Sequence, residues 1–319
     1  MQEIENKNRT NDFDDEIDLQ KLFIVLFQGK RIVGYITFFF VIVGIIYSLL
    51  LSDIYESEAL LAPSDGQSSL IGGALNDYSG LAGLAGITLP SEDTDSNSKK
   101  ALELMSSLSF FENNLMPKIF LPNLMAVESW DDRKNIIIYD DSIYNSISNT
   151  WVRDFSHPKK LIPSAQESFE VFLKDHFFIS EDIKTGFIIL SIKHQSPFLA
   201  KKWVEMIVKE VNAFYRQKDK SESEKAAIYL NKQISGTSLS EIKQVTASLL
   251  QQEVQKLTLI EANKDYVFEY IYPPSVMEQK SEPHRSLIVI LFTFFGGLLG
   301  VLFVLFKYYF FEEKNKEKQ

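Results

Sequence analysis

The sequence predicts an α+β domain carried between two membrane-spanning helices. Three observations lead there. Two stretches of about 20 apolar residues without a charge, 32–51 and 287–306, lie near the two ends of the 319-residue chain. Between them, short segments alternate apolar and polar residues, as half-buried strands do. A long proline-free run then carries apolar residues three and four apart, the spacing of one helix face.

Residues 1–31 form an acidic leader ("DFDDEIDLQ") before "IVGYITFFFVIVGIIYSLLL". A helix rises ~1.5 Å per residue, so this run and "LIVILFTFFGGLLGVLFVLF" each reach ~30 Å, the thickness of a bilayer core. A signal peptide has a basic start, an apolar run of ~7–15 residues and a small-residue cleavage site. Here the run is longer, the leader is acidic, and "YSLLLSDIYESEA" offers no such site. An uncleaved anchor is expected. Lys30 and Arg31 precede the first run and Lys307 follows the second. Short flanks rich in Lys and Arg stay inside, so 1–31 and 307–319 are expected in the cytoplasm and 52–286 outside it. Neither terminal segment is long enough for a kinase, nucleotidase or DNA-binding output domain. Function is expected in the external domain or in the membrane.

The chain has 33 Lys plus Arg against 43 Asp plus Glu, a net charge of −10, and nearly all of the excess lies in 52–286. That balance argues against nucleic acid and against docking on an anionic lipid surface. The absence of cysteine excludes disulfides, thiolate metal sites and cysteine nucleophiles, and is compatible with an oxidising periplasm.

Within 52–286, "YESEALLAP" (Tyr55–Pro63) reads as a strand closed by proline. The Gly-, Ser-, Asp- and Asn-rich residues 64–99 read as a long connection. Its apolar Leu70, Ile71, Leu75, Leu81, Leu84, Ile87 and Leu89 are unusual for a plain linker. They either fold over the domain or pack against the membrane or a neighbouring subunit. Residues 100–119 have the spacing of two short helices, and 121–165, with prolines at 122, 158 and 163, read as irregular. "ESFEVFLKDHFFIS" is a short amphipathic helix leading into a strand. "DIKTGFIILSIKHQSP" predicts a hairpin turning at Thr185–Gly186, with Ile188, Leu190 and Ile192 on one face. Ser196 as N-cap and Pro197 at the first helical position open the next helix. Ser221–Ala262 is expected to be a continuous helix ~60 Å long, bent at Gly236. Its apolar stripe is Leu230, Ile234, Ile242, Val245, Leu249 and Leu257. So polar a helix suits a projecting arm or a packing surface between identical copies. "DYVFEYIYPP" is a last strand before the second apolar run.

The chain carries little that points to catalysis. The one Gly-Lys pair, Gly29–Lys30, has Ile24 where a phosphate-binding loop needs its first glycine, and Arg31 follows. No Gly-x-Ser-x-Gly elbow occurs. His157, His176, His194 and His284 are scattered, without metal-ligand spacing. The acid pairs Asp131–Asp132 and Asp140–Asp141 could be imagined as glycosidase carboxylates, but adjacent acids on irregular chain usually cap a solvated turn. No catalytic residue, cofactor site or metal site is expected. In the second apolar run Gly296, Gly297 and Gly300 form a Gly-x-x-x-Gly pattern that lets membrane helices approach closely. Its partner would be the first run, at Gly34 or Gly44, of the same or the next subunit.

Taken in order, these segments resemble the Wzz-type chain-length determinants, the polysaccharide co-polymerases. The likeness rests on "DDEIDLQKLFIVLFQGKR" and "YESEALLAP" around the first run, then "LAGLAGITLP", "SPFLAKKWVEMIVKEVN" and the long helix. It continues through "DYVFEYIYPP" and "SEPHRSLIVILFTFFGGLLG". No single motif is specific; the order and the two-run topology are. Family members carry a proline-dense stretch before the second span, of which Pro273, Pro274 and Pro283 are present here. The resemblance implies a non-enzymatic inner-membrane protein with a membrane-proximal α/β base and long helices in the periplasm. It would set the modal length of a surface polysaccharide such as the O-antigen of lipopolysaccharide. Capsule, enterobacterial common antigen or exopolysaccharide are alternatives, and a two-span extracytoplasmic sensor or an anchored hydrolase are more distant ones. The implied partners are identical copies in a ring and a separate membrane polymerase. Contact with lipid-linked glycan, and the choice between scaffold, ruler and timer, are left open.

Overall fold

The computed structural model describes residues 19–64 and 94–316. The glycine-rich stretch from Leu70 to Leu89, for which two packings were expected, lies outside the described residues. The chain divides into two compact units, Met1–Leu51 with Pro283–Gln319, and Ser52–Glu282. The architecture is α+β with a long helix.

The first unit contains helices α1 (Leu19–Gln28) and α2 (Lys30–Leu50) and a helix near the other end, Arg285–Lys316. Lys30–Leu50 and Arg285–Tyr308 are each long and apolar enough to cross a bilayer. Their outer surfaces are bare hydrocarbon: Phe38 is 63% exposed, Leu50 79% and Ile290 68%. The core helix of a soluble protein would bury such side chains, whereas lipid covers them at no cost.

The second unit is built on a four-stranded antiparallel sheet. Its strands are β1 (Tyr55–Pro63), β6 (Phe177–Glu181), β7 (Ile188–His194) and β8 (Phe268–Tyr272), in the order β6-β7-β1-β8. One face is apolar by alternation. Ser57, Ala59 and Leu61 of β1 stand opposite Ile192, Leu190 and Ile188 of β7, and all are buried. The small Ser57 and Ala59 on β1 face the larger Ile192 and Leu190 on β7, and Leu61 faces Ile188. The β6–β7 turn needs Gly186 at φ +69, and the Asp182 carboxylate accepts from the Lys184 amide at 2.9 Å.

Helix α6 (Pro197–Gly236) packs on this face with Ala200, Trp203, Val204, Ile207, Val208, Val211 and Tyr215, spaced three and four apart and buried. Helix α3 (Thr94–Met105) adds Ala101 and Met105. The helical turns Leu108–Phe110, Phe111–Leu115 and Met116–Lys118 add Phe110, Phe111 and Leu115. The segment leading into β6, α5 (Ala165–Val171) and the turn Phe172–His176, stacks Phe172 against Phe177.

Two expectations are corrected. Residues 121–165 are not irregular throughout. They hold a short helix, α4 (Leu121–Met125), and two small hairpins. These are β2 (Val127–Asp131) with β3 (Ile136–Tyr139), and β4 (Tyr144–Asn145) with β5 (Thr150–Trp151). Strands of two to five residues are too short to show a period. Their turns are set by side chains, with Asp131 accepting from the amides of Arg133 and Lys134 and Asn145 from those of Ile147 and Ser148.

The long helix is also divided differently. Helix α6 runs 40 residues without a break at Ser221, and α7 (Ser240–Ala262) begins after Thr237, which has extended backbone. The polar run "RQKDKSESEK" contains only helix-compatible residues, so nothing stops the helix there. Gly236, Thr237 and Ser238 together favour leaving it. The result is a helical hairpin. Its limbs meet again where Lys220 pairs with Glu261 and the Tyr266 hydroxyl donates to Asp219 at 2.7 Å.

Candidate functional site

The entry and exit of the sheet domain are stitched together. Ile54 and Glu282 form a bridge: the Ile54 amide donates to the Glu282 carbonyl at 2.9 Å, and the Ser281 amide to the Ile54 carbonyl at 2.8 Å. Lys280 pairs with Asp53 at 3.0 Å, and the Ser281 hydroxyl donates to Glu56 at 3.0 Å. Lys193 on β7 contacts Glu282 at 2.6 Å and Glu56 at 3.9 Å, and lies 4.7 Å from the centroid of the Phe178 ring. The hydrogen bond that the ammonium donates to Glu282 raises the Lys193 pKa, so the ammonium is held charged. The stretch carrying the prolines of interest returns in extended form. Pro273 is exposed, Pro274 buried and Pro283 half-buried, and the Ser57 hydroxyl fixes the Ser275 carbonyl at 2.8 Å.

Beside this clasp the fold brings together two histidines that are distant in sequence. His176 and His194 stack at 5.6 Å, and Trp203 presents its edge to them at 5.5 and 5.0 Å. His194 Nδ1 accepts from the Ser196 amide at 2.8 Å, so Nε2 carries the proton and donates to the Asn123 carbonyl at 2.9 Å. His176 Nδ1 lies 2.7 Å from the Lys193 carbonyl. Burial pushes the His194 pKa down to about 3 and lowers that of His176. With ring nitrogens committed to backbone, the pair works as a neutral core element. Ser196 sits at the N-cap, as the sequence indicated, but spends its amide on His194 and its hydroxyl makes no cap bond.

The acid pairs belong to turns. Asp131 caps two amides, and Asp140 accepts from the Ser142 amide at 2.8 Å and hydroxyl at 2.6 Å, which lowers its pKa.

The second apolar helix, now α8 (Arg285–Lys316), runs antiparallel to α2, and the glycines lie along the seam. A Cβ on Gly300 would come within 3.0 Å of Val33 Cα, and one on Gly296 within 2.6 Å of Phe40 Cβ and 3.2 Å of Thr37 Cα. A Cβ on Gly44 would come within 2.8 Å of Phe292 Cβ, and one on Gly29 would run into the Val304 side chain. Each close approach thus sets a glycine against a larger residue across the seam, with Gly29 and Gly44 on the first side at its two ends and Gly300 and Gly296 on the second side between them. A Cβ on Gly297 would lie 3.8 Å from Thr37 Oγ1, and one on Gly34 would meet nothing within 4 Å among the described residues. Of the two partners expected on the first helix, Gly44 lies in the seam of the same chain and Gly34 does not.

The hairpin stripe is split. Leu230, Ile234, Leu249 and Leu257 are half-buried, whereas Ile242 and Val245 are exposed, as are Ile228, Tyr229 and Val254. Sequence reasoning missed Asn212. It is buried on the core face of α6, where its side-chain oxygen accepts from the amides of Val267 and Phe268 at 2.8 and 2.9 Å. Its amide donates to the Phe268 carbonyl at 2.8 Å, fixing the start of β8 to the helix. A polar residue interrupting Val204, Ile207, Val208, Val211 and Tyr215 was the available signal.

Residues 15–113 match the family model Wzz, described as chain length determinant protein. The match covers the N-terminal third of the chain. It takes in α1, α2, β1 and α3, and it bears out the resemblance read from the sequence. Solved structures similar to the chain include the following three. A full-length bacterial polysaccharide co-polymerase aligns at 14% identity over 91% of this chain and 97% of its own, with a TM-score of 0.41. A fragment of WzzB, a polysaccharide co-polymerase from Salmonella Typhimurium, aligns at 13% identity over 72% of this chain and all (100%) of its own, TM-score 0.33. A mutant lipopolysaccharide O-antigen chain-length regulator of Shigella flexneri aligns at 12% identity, 72% and 100% coverage, TM-score 0.26. No curated protein matches the chain.

Proposed function

We propose that this protein is a polysaccharide co-polymerase: a regulator of the chain length of a surface polysaccharide, the O-antigen of lipopolysaccharide, that itself catalyses no step. The observation that carries the reading is the Wzz match over residues 15–113, which includes the first apolar helix and the strand after it. The second apolar helix, closed on the first by the glycine seam, supports an anchor with two spans in the inner membrane. Lys30, Arg31 and Lys307 favour cytoplasmic termini, which leaves the sheet domain in the periplasm.

In this reading the clasp at Ile54–Glu282 keeps the two chain ends of the domain side by side, so that both spans hold one domain. The exposed Ile228, Tyr229, Ile242, Val245 and Val254 give the helical hairpin an apolar surface that a second copy covers, which supports a homo-oligomeric ring. The polymerase is a separate membrane protein whose product length the ring controls. A reporter active only outside the cytoplasm tests the topology: fused after Pro90 it is active, and fused after Lys316 it is silent. Deletion of the gene tests the function. Surface polysaccharide is still made, with a broad spread of lengths in place of a preferred one. Loss of long polymer altogether, or an unchanged distribution, rejects the reading.

A further inference from the structure

The four-stranded sheet has a second face. Helices α3 to α7 all feed the core on the face of Ala59 and Leu61. The alternate residues of each strand point the other way. Near the start of β1 this outer face is charged, with Glu56 opposite Lys193 and Glu58 next along. Near the end of β1 it is apolar. Leu60 stands opposite Ile189, and Ala62 follows it. On β8, Ile271 alternates with Tyr270, which packs on the core. Ile189 is 39% exposed and Ile271 50%. The charge of Glu269, opposite Ala62, stands at the edge strand. A solvated sheet face carries polar residues at such positions, whereas an apolar one is covered by a further layer.

We propose that residues 70–89 of the same chain cover this apolar half-face. Three observations choose that occupant. The segment starts there: β1 is a central strand ending at Pro63, and the Ser64 amide donates to the Val267 carbonyl at 2.8 Å. Its length suffices. The 29 residues between Ser64 and Thr94, taken out and back, reach roughly 45 Å, and four strands are only about 15 Å across. Its composition matches. Between Gly66 and Ser91 the only charged residue is Asp77, and Leu81, Leu84 and Ile87 recur every third residue with only alanine and glycine between them. Such small residues let a backbone lie close to a sheet. The segment of a second copy has the same chemistry, but a tethered segment is present at an effective concentration on the order of millimolar, which favours its own chain. The proposal is independent of the chain-length reading. It gives "LAGLAGITLP" the role of completing the sheet domain.

The test uses the full-length protein in its membrane, where the absence of native cysteine makes every thiol an introduced one. Ile189→Cys is combined in turn with Leu81→Cys, Leu84→Cys and Ile87→Cys, and a short bismaleimide is added. Linkage within one chain is read as loss of both free thiols at monomer size on a denaturing gel. Leu84→Cys with Ile242→Cys, on the helical hairpin, is the control. At least one of the three pairs links within the chain about ten-fold more than the control. Linkage at dimer size in its place puts the segment on another copy and overturns the proposal, as does linkage no better than the control. A second measurement needs no pair. The thiol of Ile189→Cys reacts with a bulky maleimide about ten-fold faster once Leu81→Ser, Leu84→Ser and Ile87→Ser are combined, while that of Ala59→Cys, on the core face, stays protected. An unchanged rate at residue 189, or equal acceleration at both positions, overturns the proposal.

Discussion

Asn212 offers a measure of how the sheet is attached to the long helix. Asn212→Ala removes three hydrogen bonds at once and leaves the amides of Val267 and Phe268 and the Phe268 carbonyl buried without partners. A buried polar backbone group without a partner costs about 1–3 kcal/mol. Water entering the space of the lost side chain recovers part of this, so a net loss of roughly 3 kcal/mol is expected. For a domain of this size that lowers the melting temperature by roughly 6–12 °C. The loss is also local. Hydrogen exchange at Val267 and Phe268 accelerates about a hundred-fold in the full-length protein, while β7 keeps its protection. Asn212→Asp keeps the two acceptor contacts but loses the donor and buries a charge, so it too is destabilising. A shift below about 1 kcal/mol with unchanged exchange at the two amides would refute the role given to Asn212.

Other perturbations test other parts. Gly300→Leu and Gly296→Leu force side chains into the Val33 and Phe40 contacts and cost roughly 1–3 kcal/mol of pairing between the two helices. Cysteine cross-linking from residue 37 to residue 297 in the same chain reports it. Gly34→Leu meets nothing among the described residues, so a change in oligomer size from Gly34→Leu alone would place that face against another copy. His194 has its pKa depressed from 6.5 to about 3 in the folded protein, so the unfolded chain binds the extra proton between those values. Stability is full above pH 6.5 and falls as pH drops towards 3, by about 2 kcal/mol at pH 5. Urea midpoints at pH 7 and pH 5 check this, and a flat profile would contradict it; His194→Gln removes that part of the slope. Leu249→Asp places a charge on the half-buried side of the hairpin, and it is expected to loosen the oligomer, seen by size in mild detergent.

The parts legible in the sequence are those with long or strict periods. The two apolar runs, the β6–β7 hairpin and the core face of α6 each announce themselves over at least seven residues. The hairpin break at Thr237 was harder, because a helix stops where weak preferences accumulate, and Gly236 alone could equally have bent it. The small hairpins of β2 to β5 have no period to read; Asp131 and Asn145 shape them by local hydrogen bonds. The clasp was not legible at all. Lys193, Glu56 and Glu282 meet because β7 lies beside β1 and the return segment crosses its start, and no spacing along the chain encodes that. The histidines show the same limit. Scattered in sequence, His176 and His194 are neighbours because β6 and β7 pair in one register. The glycine pattern of α8 was visible, but only the structure shows its opposing residues, Val33, Thr37 and Phe40.

The central claim is that this chain imposes a length on a polymer made by another protein. The direct measurement expresses it in a cell that has an intact O-antigen polymerase and lacks its own length regulator, and compares surface polysaccharide by gel with the same cell carrying an empty vector. The account predicts that the broad ladder of the empty-vector cell collapses into one preferred length range while total polymer is maintained. A ladder that stays broad with the protein present in the membrane, or a loss of polymer, would contradict it.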